Sequence, residues 1–110
     1  MYILAIETTG AFASVALAKA EGTRCDILSH VHGHDRFSHL QNLTPQINEV
    51  LTEAALSIDD IGAIAVSHGP GSFTGIRIGV STARALAQAK GITCIPVSSL
   101  QALAKRTEGT

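Results

Sequence analysis

At 110 residues with a net charge of −1, the chain has room for one domain with a modest core. Its eight Lys and Arg are scattered and its aromatics reach only 4%, without tryptophan, which argues against a basic nucleic-acid patch or a base-stacking platform. No run approaches the roughly 20 apolar residues that cross a bilayer.

The N-terminus lacks the basic flank and small-residue cleavage site of a signal peptide, so a cytoplasmic protein with no membrane association is expected. With 45% hydrophobic residues and a mean hydropathy of +0.27, part of the surface should lie against something else. Cys25 and Cys94 fit no CxxC or zinc spacing and read as two reduced thiols.

In chain order, Tyr2 to Ile6 is an apolar run that ends at Glu7-Thr8-Thr9-Gly10, a buried strand closed by a turn. Phe12 to Ala20 reads as its hairpin partner, and Glu21-Gly22-Thr23 turns the chain into a third strand, Arg24 to Val31. Ser38-His39-Leu40-Gln41 has capping-box spacing. Leu40, Leu43, Ile47, Val50, Leu51 and Ala54 then follow on one helical stripe. Pro45 inside that stripe should bend a single helix over about 39–55; a start with Thr44 as cap and Pro45 first is the alternative. Ser57-Ile58-Asp59-Asp60 opens a short helical turn, and Ala63 to Ser67 is the fourth strand.

A glycine-rich loop comes next: Gly69-Pro70-Gly71-Ser72-Phe73-Thr74-Gly75, followed by Ile76 and Arg77. Such a loop can aim backbone N–H groups at an anion beside a helix N-terminus, or serve tight packing. It is no Walker A loop, because no Gly-Lys-Ser/Thr ending is present. A Rossmann fingerprint fails on its GxGxxxG spacing, and a nucleophile elbow fails because Pro70 and Thr74 stand where glycines are needed around Ser72. A structural loop and an anion site without a catalytic lysine both remain.

Ile76 to Lys90 forms the second long helix, with Gly91 as its C-terminal stop. Thr93 to Val97 is the fifth strand, and Ser98-Ser99-Leu100-Gln101 opens a last helix. The order β-β-β-α-β-α-β-α predicts an α/β domain, an antiparallel meander followed by crossovers into parallel strands of one mixed sheet.

The second long helix is apolar around most of its girth. Ile76, Gly79, Val80, Ala83, Leu86 and Ala87 make one side, and Ile78, Thr82, Ala85 and Ala89 another. A helix of this kind is covered twice, once by its own sheet and once by a neighbour.

Catalytic groups are harder to name. Glu7, Thr8 and Thr9 have the makings of a magnesium–phosphate site or of a plain polar strand end. His30, His32 and His34 would share one face only if the segment stayed extended; a solvated histidine-rich loop is expected, with no metal site. No serine–histidine–acid constellation or carboxylate pair stands out.

The opening YILAIETT, the segment His39-Leu40-Gln41-Asn42-Leu43-Thr44-Pro45 and above all GPGSFTGIRIGVSTARALA over 69–87 resemble the TsaB (YeaZ) family. The resemblance runs from residue 2 to about 103. It implies a ribonuclease-H-like fold of the actin/Hsp70/sugar-kinase type and a place in threonylcarbamoyl modification of adenosine beside the tRNA anticodon. Family members have two such domains, and this chain would hold the first, without the second lobe that closes a nucleotide cleft.

The resemblance further implies a non-catalytic role without a cofactor or direct nucleic-acid contact. It implies partnership with a TsaD-like transferase subunit, a TsaE-like ATPase as third component, and homodimerisation in isolation. On that reading Leu40, Leu43, Ile47, Ile78, Thr82, Ala85 and Ala89 are candidate partner-binding residues, some of which must instead face the sheet, and Arg77 contacts a partner or an anion. TsaD-type subunits hold a metal through a His-x-x-x-His pair on a helix. His30 and His34 have that spacing but precede the first helix, so the ligand role is not carried over. The alternative is an ATP-dependent phosphotransferase, or a protease-like enzyme, of the same superfamily.

Overall fold

The computed structural model describes residues 1–8, 13–32, 39–69 and 73–98. Five strands, β1 (Tyr2–Glu7), β2 (Ser14–Glu21), β3 (Arg24–His32), β4 (Ile61–Ser67) and β5 (Thr93–Val97), form one sheet in the order β3-β2-β1-β4-β5. β1 pairs antiparallel with β2 and parallel with β4, while β5 runs parallel to β4. Helix α1 (His39–Glu53) and a short 3-10 turn (Ile58–Asp60) link β3 to β4, and α2 (Phe73–Lys90) links β4 to β5. This is the expected mixed sheet; the last helix, from residue 99 on, lies outside the described residues.

The pairing register explains why the central strands are apolar without alternation. Leu4 faces Leu17 and Ile64, and Ile6 faces Val15 and Val66. These six residues join Val50, Leu51 and Ala83 of the two helices in one core. On the opposite face Ala5 lies beside Ala16 and Ala65, and Ala5, Ala18, Ala63 and Ala65 are buried as well. Strands hidden on both faces read as continuous apolar runs.

The helix α1 stripe turns Leu43, Gln46, Ile47, Val50 and Leu51 inward, at the three-and-four spacing of an amphipathic helix. Pro45 lies inside one helix and on its exposed side, where its ring meets water instead of the sheet. The helix ends at Glu53, two residues before the expected 55. Its stop is a hydrogen-bond pattern in which the Leu56 N–H reaches back to the Leu51 carbonyl, with Ala55 at φ 56°. The same device ends α2, where the Ile92 N–H donates to the Ala87 carbonyl and Gly91 sits at φ 66°. Ser57 then opens the 3-10 turn, its N–H donating to the Asp60 carboxylate at 2.9 Å.

Two local expectations change. Strand β3 runs one residue beyond the expected Val31, because Ser14–His32 is still a cross-strand pair; His32 therefore joins His30 in the strand instead of opening a solvated histidine-rich loop. Helix α2 begins at Phe73, three residues before the expected start, so Phe73, Thr74 and Gly75 of the glycine loop form its first turn.

The two helix stops supply mirrored tests. At Gly91 an added Cβ would meet nothing within 4 Å, so only backbone conformation is at stake there. Gly91→Ala should cost about 1 kcal/mol and Ala55→Gly should stabilise by a similar amount, as read from urea midpoints at unchanged m-value.

Candidate functional site

The carboxyl ends of β1 and β4 lie side by side, and the chain leaves them in opposite directions. From β1 it returns as β2 on one side, and from β4 it crosses through α2 to β5 on the other. Ligands of open α/β sheets gather at such a switch point. Thr8 follows β1 here, and His68 and Gly69 follow β4; Gly69 has φ 124°, and the His68 N–H donates to the Val97 carbonyl at 2.9 Å.

Thr8 is 0% exposed, and its hydroxyl donates to the Gly75 carbonyl in the first turn of α2. One helical turn on, a Cβ added to Gly79 would land on Thr8 Oγ1. Gly75, Gly79, Ala83 and Ala87, every fourth residue, form the buried face of α2. Thr8 therefore seats the helix on the sheet, and in this structure it is not presented to an incoming phosphate. Glu7 is half-buried at the end of β1, whereas Thr9, Pro70, Gly71 and Ser72 lie outside the described residues. Ser67, 1% exposed at the end of β4, has a hydroxyl that makes no hydrogen bond with the described residues.

A second feature lies between the helices. A groove of about 540 Å³ has walls that include Ile47, Leu51 and Ile58 on one side and Thr82, Ala85 and Leu86 on the other. Lys90 lines one end, 3.4 Å from the Asp59 carboxylate. A shallower hollow of about 300 Å³, formed by Thr74, Arg77, Ile78, Ser81 and Thr82, adjoins it through Ser81 and Thr82. The charges are segregated: those of α1 between residues 43 and 53 are Glu49 and Glu53, while those of α2 are Arg77, Arg84 and Lys90. At the far end of the sheet Lys19 is held above its ordinary lysine range by its hydrogen bond to, and charge attraction from, Glu21, at 3.1 Å.

The structure sorts the residues expected to meet a partner. Ile78 and Thr82 are half-buried, and Ala85 and Ala89 are exposed along one strip of α2. Ile47 is buried but lines the groove. Leu43 is a correction: at 1% exposed it packs into the core beneath α1, where it faces the sheet, and its neighbour Thr44 lines the groove instead. The side chain of Leu40 lies outside the described residues. Leu51, Leu86 and Ile58 were not foreseen as groove residues. Leu51 and Leu86 belong to stripes that also serve the core, and the one available signal for Ile58 was an apolar residue in a polar turn.

Comparison with known proteins agrees with the fold. Residues 35–110 match the family model described as TsaD, tRNA N6-adenosine threonylcarbamoyltransferase. The chain is 40% identical over 105 residues to the Escherichia coli tRNA threonylcarbamoyladenosine biosynthesis protein TsaB, covering 96% of this chain and 43% of that protein. It is 36% identical over 107 residues to an uncharacterized protein of Mycobacterium leprae, covering 97% of this chain and 30% of the other. Among solved structures, YeaZ from Pseudomonas aeruginosa superposes with a TM-score of 0.79 at 32% identity, over 98% of this chain and 50% of that one. Thermus thermophilus RuvC shares the fold alone, with a TM-score of 0.62 at 12% identity over 88% of this chain and 63% of RuvC. The chain thus spans less than half the length of these curated relatives.

The meander, the two crossovers and these neighbours define a ribonuclease-H-like α/β domain. The chain belongs to the TsaB (YeaZ) family of tRNA threonylcarbamoyladenosine biosynthesis proteins, related to the TsaD transferases.

The Thr8 seat is testable by itself. Gly79→Ala should destabilise the domain by about 1–3 kcal/mol through overpacking. Adding Thr8→Ala, which clears the space the new methyl needs, should restore part of that loss in a double-mutant cycle by thermal unfolding. Strict additivity of the two changes would mean that the helix and strand do not meet as described.

Proposed function

We propose that this chain acts as a non-catalytic partner in forming N6-threonylcarbamoyladenosine at position 37 of tRNA, docking through the α1–α2 groove onto a TsaD-like transferase subunit. The observation that carries this reading is the strip Ile78, Thr82, Ala85 and Ala89 beside an apolar groove. The small side chains of Ala85 and Ala89 let a partner helix approach closely, and Ile47 and Leu51 offer apolar area beneath it. A TsaE-like ATPase would be the third component of the assembly.

The segregated charges of the two helices suit a second copy of the chain in the absence of TsaD. A two-fold axis through the groove would place the acidic α1 of one copy near the basic α2 of the other. Arg77, beside the smaller hollow, would meet an acidic group of whichever partner docks.

Ala85→Glu is the direct test, because Ala85 is exposed and its replacement leaves the core untouched. The variant should keep the wild-type circular dichroism and melting temperature. Its complex with a TsaD-like subunit, read by size exclusion with light scattering, should weaken at least about tenfold, since a lone charge would be buried at the interface. Complex formation at wild-type strength would remove this face as the docking surface.

A second reading, phosphoryl transfer from ATP, draws on the switch point and on the unsatisfied Ser67 hydroxyl. Titration of the chain with Mg-ATP in a calorimeter should show no saturable heat at micromolar strength. A micromolar affinity would favour the enzymatic reading over the docking one.

A further inference from the structure

We propose that His30 and His32 form a two-imidazole chelate for a divalent transition-metal ion, on the sheet face opposite the helices. Strand alternation sets the orientation. Ser29 points toward the helices, its Oγ donating to the Val50 carbonyl of α1 at 2.8 Å, and Val31 packs against the core. Their neighbours His30 and His32 therefore project from the other face, and both are exposed there.

Three features make the pair a chelate and not merely two surface histidines. The rings already lie together, with centroids 6.2 Å apart and planes inclined at 41°. The cross-strand partners on that face are Ala16 and Ser14, too small to cover the rings or wedge them apart. The β2–β3 ladder holds both backbone positions, and an ion between the rings would take one nitrogen from each, at metal–nitrogen distances of about 2.0–2.1 Å.

Imidazole nitrogens suit zinc, nickel and copper, and not magnesium or calcium, which prefer oxygen. Among the described residues no group of three or more His, Cys, Asp and Glu gathers around a common point. The two imidazoles are thus the ligands the site offers among the described residues. The pair lies across the sheet from the α1–α2 groove, so ion binding and docking are separate properties of the domain.

The test is calorimetric titration of the chain with zinc chloride, with the histidine ring protons followed by NMR. One ion per chain is expected, with the His30 and His32 resonances moving together. His30→Ala and His32→Ala should each weaken binding about tenfold or more, since each removes one of two ligands. His68→Ala, at the end of β4, should leave the affinity unchanged. Both target residues are exposed, so the variants should melt at the wild-type temperature. Lack of saturable zinc binding by the wild-type chain would overturn the proposal, as would undiminished affinity in the His30→Ala/His32→Ala double variant.

Discussion

The contact between the end of β1 and the first two turns of α2 governs much else in the domain. Thr8, buried and hydrogen-bonded to the Gly75 carbonyl, occupies the space that a side chain at position 79 would need. With glycine at 79 and alanine at 83 and 87, the helix axis comes down close to the sheet along its whole length. A helix seated so low turns its remaining apolar residues sideways, toward α1 and toward solvent. The groove between the helices and the strip from Ile78 to Ala89 follow from that seating.

Two faces of one sheet are used differently. The helix side carries large side chains, Leu4, Ile6, Leu17 and Ile64, which fill the gap beneath α1 and α2. The other side carries buried alanines at the centre and exposed histidines on the edge strand β3. The helix layer thus carries an apolar groove with segregated charge, while the edge of the opposite layer carries two exposed imidazoles. Neither property requires the other, because the sheet lies between them.

The switch point adds a further constraint. Two parallel strands whose chain paths diverge leave a crevice at their carboxyl ends. In this chain Thr8 turns its hydroxyl toward α2, while Ser67 keeps a buried hydroxyl without a partner among the described residues. A hydroxyl in that position has a desolvation cost that a water or a ligand group would offset. The crevice is therefore polar at Ser67 and committed to packing at Thr8.

Much of the architecture was legible in local sequence, because its signals are local. The continuous apolar runs of β1 and β4 announce strands buried on both faces, and Gly91 announces a helix stop through its tolerance of positive φ. The cap at Ala55 was not legible, since alanine carries no preference for that conformation and tertiary packing imposes it. The first turn of α2 at Phe73–Gly75 was hidden because it continues a run whose glycines and proline (Gly69, Pro70, Gly71) read as loop, whereas the bond from Thr8, 67 residues away, holds that turn against β1.

That Leu43 serves the core alone while Ile47 also reaches the groove required the structure, for the two share one stripe and lie one helical turn apart. The composition and periodicity of the chain thus determined its element order, its mixed sheet and the surplus of apolar helix surface. Tertiary structure alone decided which part of that surface stays uncovered, and which histidines a strand aligns. Packing angle and strand register arise from contacts between residues far apart in the chain, which no local pattern encodes.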